Sequence, residues 1–495
     1  MKILISNPPW EMQNLTGIRA GSRWSNIIPK KKKAFKEKYI PFPFDMAYAA
    51  AVLEKHGFKV SVIDALAEEV TTQKFLKKVA NINPDLLVLS CSTPSIYHDY
   101  KIAKSVKSNV DTKIAFFGSH VSARPKEVLG HSYVDFGLIG EYDFTLLELV
   151  EALQDGQPLK NIKGLSYREN GKVKVNKRRP LLPVDELPLP AWYLFDIESY
   201  NHPICQYFPN FQLITSRGCP FSCIFCVESC ITYGPYWRPR SIDLVLEEIE
   251  AVIDRYSPKQ LWFDDSVFTV DKKRIIKLCK AMNERGIDIP WGCMTGVTIV
   301  DEKLLKVMKD AGCIRICYGI ESGSEEILKK VGKPYTLKTI EDALRLTKTI
   351  GMSIHVTSMF GLPGETKETA NKTIDFIIKL GKAGLIDSIQ SSIATPYPGT
   401  KFFDIVKNNG WLISEDWGNY DGNFTSVVSY SDLSNHEIEQ LKNLMFDKWA
   451  FEILNRNVVW GKIKTSFRKM GLLAFPFLLK KSFQLLAYQT RKRFT

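Results

Sequence analysis

Short apolar runs alternate with amphipathic stretches along most of the chain. In the first 155 residues, β-rich apolar runs at 2–6, 59–63, 85–90, 113–118 and 134–139 predict five strands. Helix-period segments at 45–56, 71–81, 95–109 and 142–154 lie between and after them, the first and last closed by Gly57 and Gly156. Short apolar strands separated by helices predict a doubly wound parallel sheet, which binds ligands at the carboxyl ends of its strands. Those ends carry small and polar residues: Ser90, Ser92 and Thr93 after the third strand, Gly118 and His120 after the fourth, Gly140 and Glu141 after the fifth. That composition suits a cofactor cleft.

A hairpin is predicted around Asn170-Gly171, and Pro180, Pro183, Pro188 and Pro190 then make a stiff linker. A second alternation follows, with strands near 212–216, 260–264, 289–294, 313–320, 353–360 and 386–394. Helices are predicted near 241–256, 271–285, 301–311, 336–350, 366–382 and 399–409. Six β/α units predict a partial barrel with its chemistry at the strand C-termini. Past residue 410 the alternation stops, leaving a loop with Trp411, Trp417 and Tyr420, a helix near 434–457 and a basic apolar tail.

Charge adds one feature. The net charge is +13, yet residues 455–495 hold ten Lys/Arg and no acid, so the remainder is close to neutral. A local acidic partner is expected, and no nucleic acid. Phe467, Leu472, Phe475, Phe477 and Phe483 among those basic residues predict a helix lying on a membrane surface, against the alternative of a helix packed on the barrel. The run Lys30 to Lys33 reads as a solvated loop. The longest late apolar stretch, 470–479, contains Pro476 and is too short to span a bilayer. The start shows no signal peptide. The expected location is cytoplasmic, with the tail at the inner face of the membrane.

The ten cysteines form no disulfide framework and favour metal chemistry in a reducing compartment. Cys219-Pro-Phe-Ser-Cys223-Ile-Phe-Cys226 directly follows the first strand of the second alternation. Three thiolates on one loop can hold three irons of a cubane and leave the fourth open to chelate a small molecule. With Cys230 as a fourth ligand, a closed zinc or cluster site is the alternative. Cys293, Cys313 and Cys317 fall in strand-like runs and read as core.

This C-x3-C-x2-C pattern, with Phe225 before its last Cys, resembles the signature of the radical S-adenosylmethionine (SAM) superfamily. The resemblance implies a [4Fe-4S] cluster on Cys219, Cys223 and Cys226. SAM would bind the open iron and be split by one electron into methionine and a 5′-deoxyadenosyl radical. It further implies that Asp264 or Asp265 meets the SAM amino group, that Glu321 holds the ribose, and that Gly361, Gly364 and Glu365 stand beside the adenine. Residues 1–410 resemble the cobalamin-binding branch of the superfamily, like its class B methyltransferases. Gly118-Ser119-His120-Val121-Ser122 is similar to that branch's Gly-Gly-Pro-His segment, with Phe117 and Ser119 departing from it. Gly140-Glu141 with 145–149, and 391–400, are further matches. The D-x-H-x-x-G motif is absent, so the resemblance implies cobalamin bound without that histidine, and His120 reads as structural.

The expected organisation is a Rossmann-like cobalamin-binding domain at 1–158, a hairpin and Pro-rich linker at 159–204, a partial (β/α)6 TIM-like radical SAM barrel at 205–410, and a helical C-terminal region at 411–495. The implied activity is methylation of an unactivated carbon of a small molecule. A lipid or isoprenoid would fit the tail, and flavodoxin or ferredoxin would serve as electron donor. Cyclisation, oxidation or ring contraction without methyl transfer is the second reading, and a non-enzymatic iron–sulfur protein the third. A tRNA methylthiotransferase would need three more cluster cysteines in the front domain, where only Cys91 lies. No cysteine follows Cys317, so a single cluster is expected. Tyr233, Trp237, Ser391 and Tyr397 are candidate substrate contacts.

Overall fold

The computed structural model describes residues 1–12, 15–19, 26–29 and 39–453. In the front sheet, the parallel strands lie side by side in the order Lys59–Asp64, Lys2–Asn7, Leu86–Ser90, Lys113–Phe117, Phe136–Leu138. In chain order that is 2-1-3-4-5, and the reversal between the first and third strands opens a crevice above their C-terminal ends. The predicted hairpin, Leu165–Glu169 with Lys172–Val175, extends this sheet as an antiparallel edge. A small meander of Glu11–Met12, Leu15–Ile18 and Asn26–Pro29 also forms. Its strands are too short to show a period in the sequence.

The second sheet pairs its six strands in chain order, all parallel: Asn210–Leu213, Gln260–Phe263, Trp291–Thr295, Cys313–Glu321, Ser353–Phe360 and Ser388–Ile393. The first and sixth do not pair, so the barrel is open along one flank. Its helices start where side chains cap them: Asp271 accepts from Arg274 N, Asp301 from Leu304 N, and Thr366 from Thr369 N. The helix Glu325–Lys330 is six residues long, too short to show a period in the sequence. Helix Asn435–Glu452 begins with a Ser434/Glu437 capping box and packs on the last two barrel strands.

One apolar core runs through both halves, from Ile3 and Phe117 through Trp192 and Phe211 to Phe360 and Trp449. Phe42 is a hub of the join, with Trp192 at 4.1 Å and Tyr200 at 5.0 Å between ring centres, while Trp192 lies 4.5 Å from Phe211. The proline-rich segment is therefore packed rather than free. Among the described residues no helix is long and apolar enough to cross a membrane. The basic tail and the run Lys30 to Lys33 lie outside the described residues.

Candidate active site

The cluster loop springs from the end of the first barrel strand. Ser216–Arg217 and Arg238–Pro239 pair as a short antiparallel ribbon that closes the loop at its base. Gly218 sits at φ +83°, and a Cβ there would stand 2.0 Å from the Tyr236 carbonyl, so this pinch requires glycine. Ile224 N donates to Val331 O at 3.2 Å and Phe402 N to Ile224 O at 3.0 Å, holding the loop's far side on the barrel.

Cys219, Cys223 and Cys226 all line one cavity of about 400 Å3 at the top of the barrel. Cys230 does not: its thiol points back to the carbonyls of Cys223 and Ile224, at 3.7 Å each. Burial pushes the thiols up, Cys219 to about 11 and Cys226 to about 12, and raises Cys223 as well. Metal-free, they are neutral, and iron binding must expel their protons. Among the described residues no three His, Cys, Asp or Glu side chains are arranged for a single metal ion. Three convergent thiols without a fourth fit a cubane with one open iron better than a closed zinc site.

Glu321 ends the fourth barrel strand at φ +58°, and its carboxylate lines the same cavity. Lys333 Nζ donates to it at 2.9 Å and to Gly319 O at 2.8 Å. Burial works against the Lys333 charge, but Glu321 and the neighbouring Cys223 outweigh it and raise the ammonium. Lys333 was not singled out in the sequence, although Gly332-Lys333-Pro334 marks a fixed loop.

The other candidates at barrel strand ends are placed differently. Asp264 lines the lumen and the interdomain cleft, accepting from Trp262 Nε1 at 3.3 Å. Asp265 is buried and turned away from the cluster cavity: its carboxylate accepts from Thr215 N at 3.0 Å and from Ser216 Oγ. Gly361, Gly364 and Glu365 form a closed turn outside the cavity wall, with Gly361 N donating to Glu365 at 2.6 Å. Burial lifts the Glu365 carboxyl to about 8. A raised carboxyl favours the folded state while protonated, so this contribution is whole below pH 4.5 and is lost as pH climbs through 8. Urea unfolding of Glu365→Gln should show a shallower loss of stability across that window, wild type falling by about 4 kcal/mol more.

The crevice of the front sheet faces the barrel and forms a cleft whose wall includes Ser90, Ser92, Gly118, Gly140 and Glu141. Gly118 lies at φ +123°, and a Cβ there would stand 2.1 Å from the Cys91 carbonyl. Small side chains leave the strand ends bare, as a flat macrocycle needs. Gly118→Ala should cost about 2–3 kcal/mol of backbone strain and abolish retention of hydroxocobalamin, read by its visible absorbance after gel filtration.

Thr93 and His120 stand behind this wall. His120 Nδ1 meets Thr93 Oγ1 at 3.1 Å, and its ring meets Trp417 edge-on at 5.5 Å, tying the C-terminal region to the front sheet. Glu141 reaches the cleft, but its carboxylate accepts from Arg238 at 2.8 and 2.9 Å and from Leu182 N at 3.0 Å. Asp143 accepts from Arg217 at 2.8 and 3.1 Å, and the Arg217 guanidinium lies 4.9 Å from the Tyr48 ring centre. Both arms of the ribbon are thus bonded to the front domain. Of the substrate-contact candidates, Tyr233 lines the cleft, Ser391 the lumen, and Tyr397 both the cleft and the cluster cavity.

A family model described as the radical SAM superfamily matches residues 213–377, and one for the B12 binding domain matches 35–150. An uncharacterized methyltransferase of Pyrococcus horikoshii is 34% identical over 435 residues, 87% of this chain and 91% of its own length. The chain belongs to the radical SAM superfamily, in its cobalamin-binding branch. Also similar, at 28% over 380 residues (73% of this chain, 65% of the relative), is the anaerobic magnesium-protoporphyrin IX monomethyl ester cyclase of Rubrivivax gelatinosus. The fold matches that of the radical SAM methyltransferase TsrM from Kitasatospora setae, solved with cobalamin and a [4Fe-4S] cluster. The TM-score is 0.63 at 18% identity, covering 83% of this chain and 79% of that one. A radical SAM enzyme of this branch has a [4Fe-4S] cluster, SAM and cobalamin as its cofactors.

Proposed function

We propose that this radical SAM enzyme methylates an unactivated carbon of a small molecule in a chamber shared by the cluster cavity and the front cleft. The supporting observation is their continuity. Both spaces are lined by Val227, Glu228, Ser266 and Tyr397, so whatever the two cofactors act on can lie between them. When bound, the cluster supplies the electron that splits SAM, and methylcobalamin supplies the methyl group.

The chain's own part is placement. Cys219, Cys223 and Cys226 hold the irons, Glu321 receives the ribose diol, and Lys333 fixes that carboxylate. Asp264, standing between the cleft and the lumen, receives an amino group. Ser90, Ser92, Gly118 and Gly140 provide the bare wall for the corrin. The name of the Pyrococcus relative favours methyl transfer, and the cyclase relative keeps ring closure as the second reading. A lipid-like substrate and membrane contact rest on residues 455–495 alone.

The test is mass spectrometry of SAM-derived products from anaerobically reconstituted protein with reductant, with and without hydroxocobalamin. The expected result is 5′-deoxyadenosine in both and S-adenosylhomocysteine only with cobalamin. 5′-Deoxyadenosine alone in both would transfer the assignment to the cyclising branch.

A further inference from the structure

Below the cluster cavity the barrel lumen holds a second compartment of about 220 Å3. The two adjoin, with Met294, Thr357, Gln390 and Ser392 as common walls. Residues from outside the barrel strands complete this second compartment, Tyr39 and His202 before the first strand and Asn423 and Phe446 after the sixth. Phe446 is 37% exposed, so this side communicates with solvent.

The polar groups of this compartment are neutral or acidic apart from the His202 imidazole, whose ring stacks on Trp262 at 4.6 Å. Gln390, Thr357, Ser392 and Asn423 offer neutral hydrogen-bonding atoms, and Asp264 adds a carboxylate. No Lys or Arg is among the described residues that line it. The cluster cavity, in contrast, has Lys333, and the cleft has Arg19 and Arg217. Lys442 stands behind the wall, its ammonium held by Asn423 O and Oδ1 at 2.7 Å each. A phosphate or carboxylate taken into such a space would lose its hydration without gaining a Lys or Arg partner. A donor group, by contrast, meets the Gln390 amide oxygen, the Thr357 and Ser392 hydroxyls and the Asp264 carboxylate.

We propose that this compartment is the substrate-recognition subsite, and that it takes a hydrogen-bond-donating group without negative charge, such as an amide or amine, carried on an apolar body that rests on Met294 and Phe446. The inference relies on the cluster cavity being the reaction chamber. It makes Gln390 and Phe446 specificity-determining residues.

The test uses the reconstituted full chain with its cluster oxidised and SAM present, so that the SAM site is filled. Saturation-transfer NMR would compare benzamide, benzylamine, benzoate and phenyl phosphate. Benzamide and benzylamine should bind, and both should weaken about fivefold in Gln390→Leu, the loss of one hydrogen bond. Phe446→Ala, at a partly exposed position, should weaken both as well and decides the matter if Gln390→Leu fails to hold its cluster. Equal binding of benzoate or phenyl phosphate, unchanged binding in the variants, or no binding by any probe would overturn the proposal. Because the readout is binding without turnover, each of these results is separable from failure of the methyl-transfer reading.

Discussion

Cys223→Ala should lose 5′-deoxyadenosine formation by at least roughly a thousandfold, because no side chain replaces the electron that the cluster delivers. Cys230→Ala should keep both its iron and its SAM cleavage. The contrast follows from geometry, since the Cys223 thiol faces the cavity while that of Cys230 points to the carbonyls of Cys223 and Ile224. Two remaining thiolates would leave two irons without protein ligands, and the cubane would not survive reconstitution. Iron and sulfide content, read beside the mass spectrometry of nucleoside products, separates failed assembly from failed chemistry. Equal iron loss in the two variants would restore the closed four-cysteine site.

The second large effect is on stability. Asp143 and Arg217 are almost wholly buried, with side-chain exposures of 3% and 6%, so solvent screens their pairing little. Asp143→Ala leaves the Arg217 charge in place with the Tyr48 ring face and the longer contact to Glu141, at 3.4 Å. Breaking a buried pair from one side costs about 3–5 kcal/mol. The urea midpoint should fall accordingly with the m-value unchanged. Asp143→Ala combined with Arg217→Met should recover part of the loss, since no orphaned charge remains. A drop below about 1 kcal/mol in the single variant, the range of surface pairs, would show that the ribbon is not held this way.

Much of this was legible from the sequence, and for definite reasons. The cysteine spacing marks the candidate cluster loop because three thiolates within eight residues have few other uses. Apolar runs of five to nine residues reveal buried strands, so both sheets emerge with boundaries a few residues off. What failed to show was the aim of polar side chains at strand ends. Glu141 reads as a cofactor contact until Arg238, 97 residues later, takes its carboxylate. Asp265 looks as available as Asp264 until Thr215 and Ser216 claim it. His120 sits in the right segment but faces Thr93 and Trp417. Such choices depend on neighbours from distant segments, and no local period encodes them. Lys333 was missed for the same reason, its meaning coming only from Glu321 across the loop.

The packing of Phe42, Trp192 and Phe211 bears on how such chains can be recombined. A cut at the prolines would sever a continuous core, exposing aromatic faces on both fragments. A front half grafted from a relative would have to bring its own counterparts of residues 39–44 and 192–200, or the seam would not close. Modularity in this architecture therefore follows the buried aromatic joint of Phe42, Trp192 and Phe211.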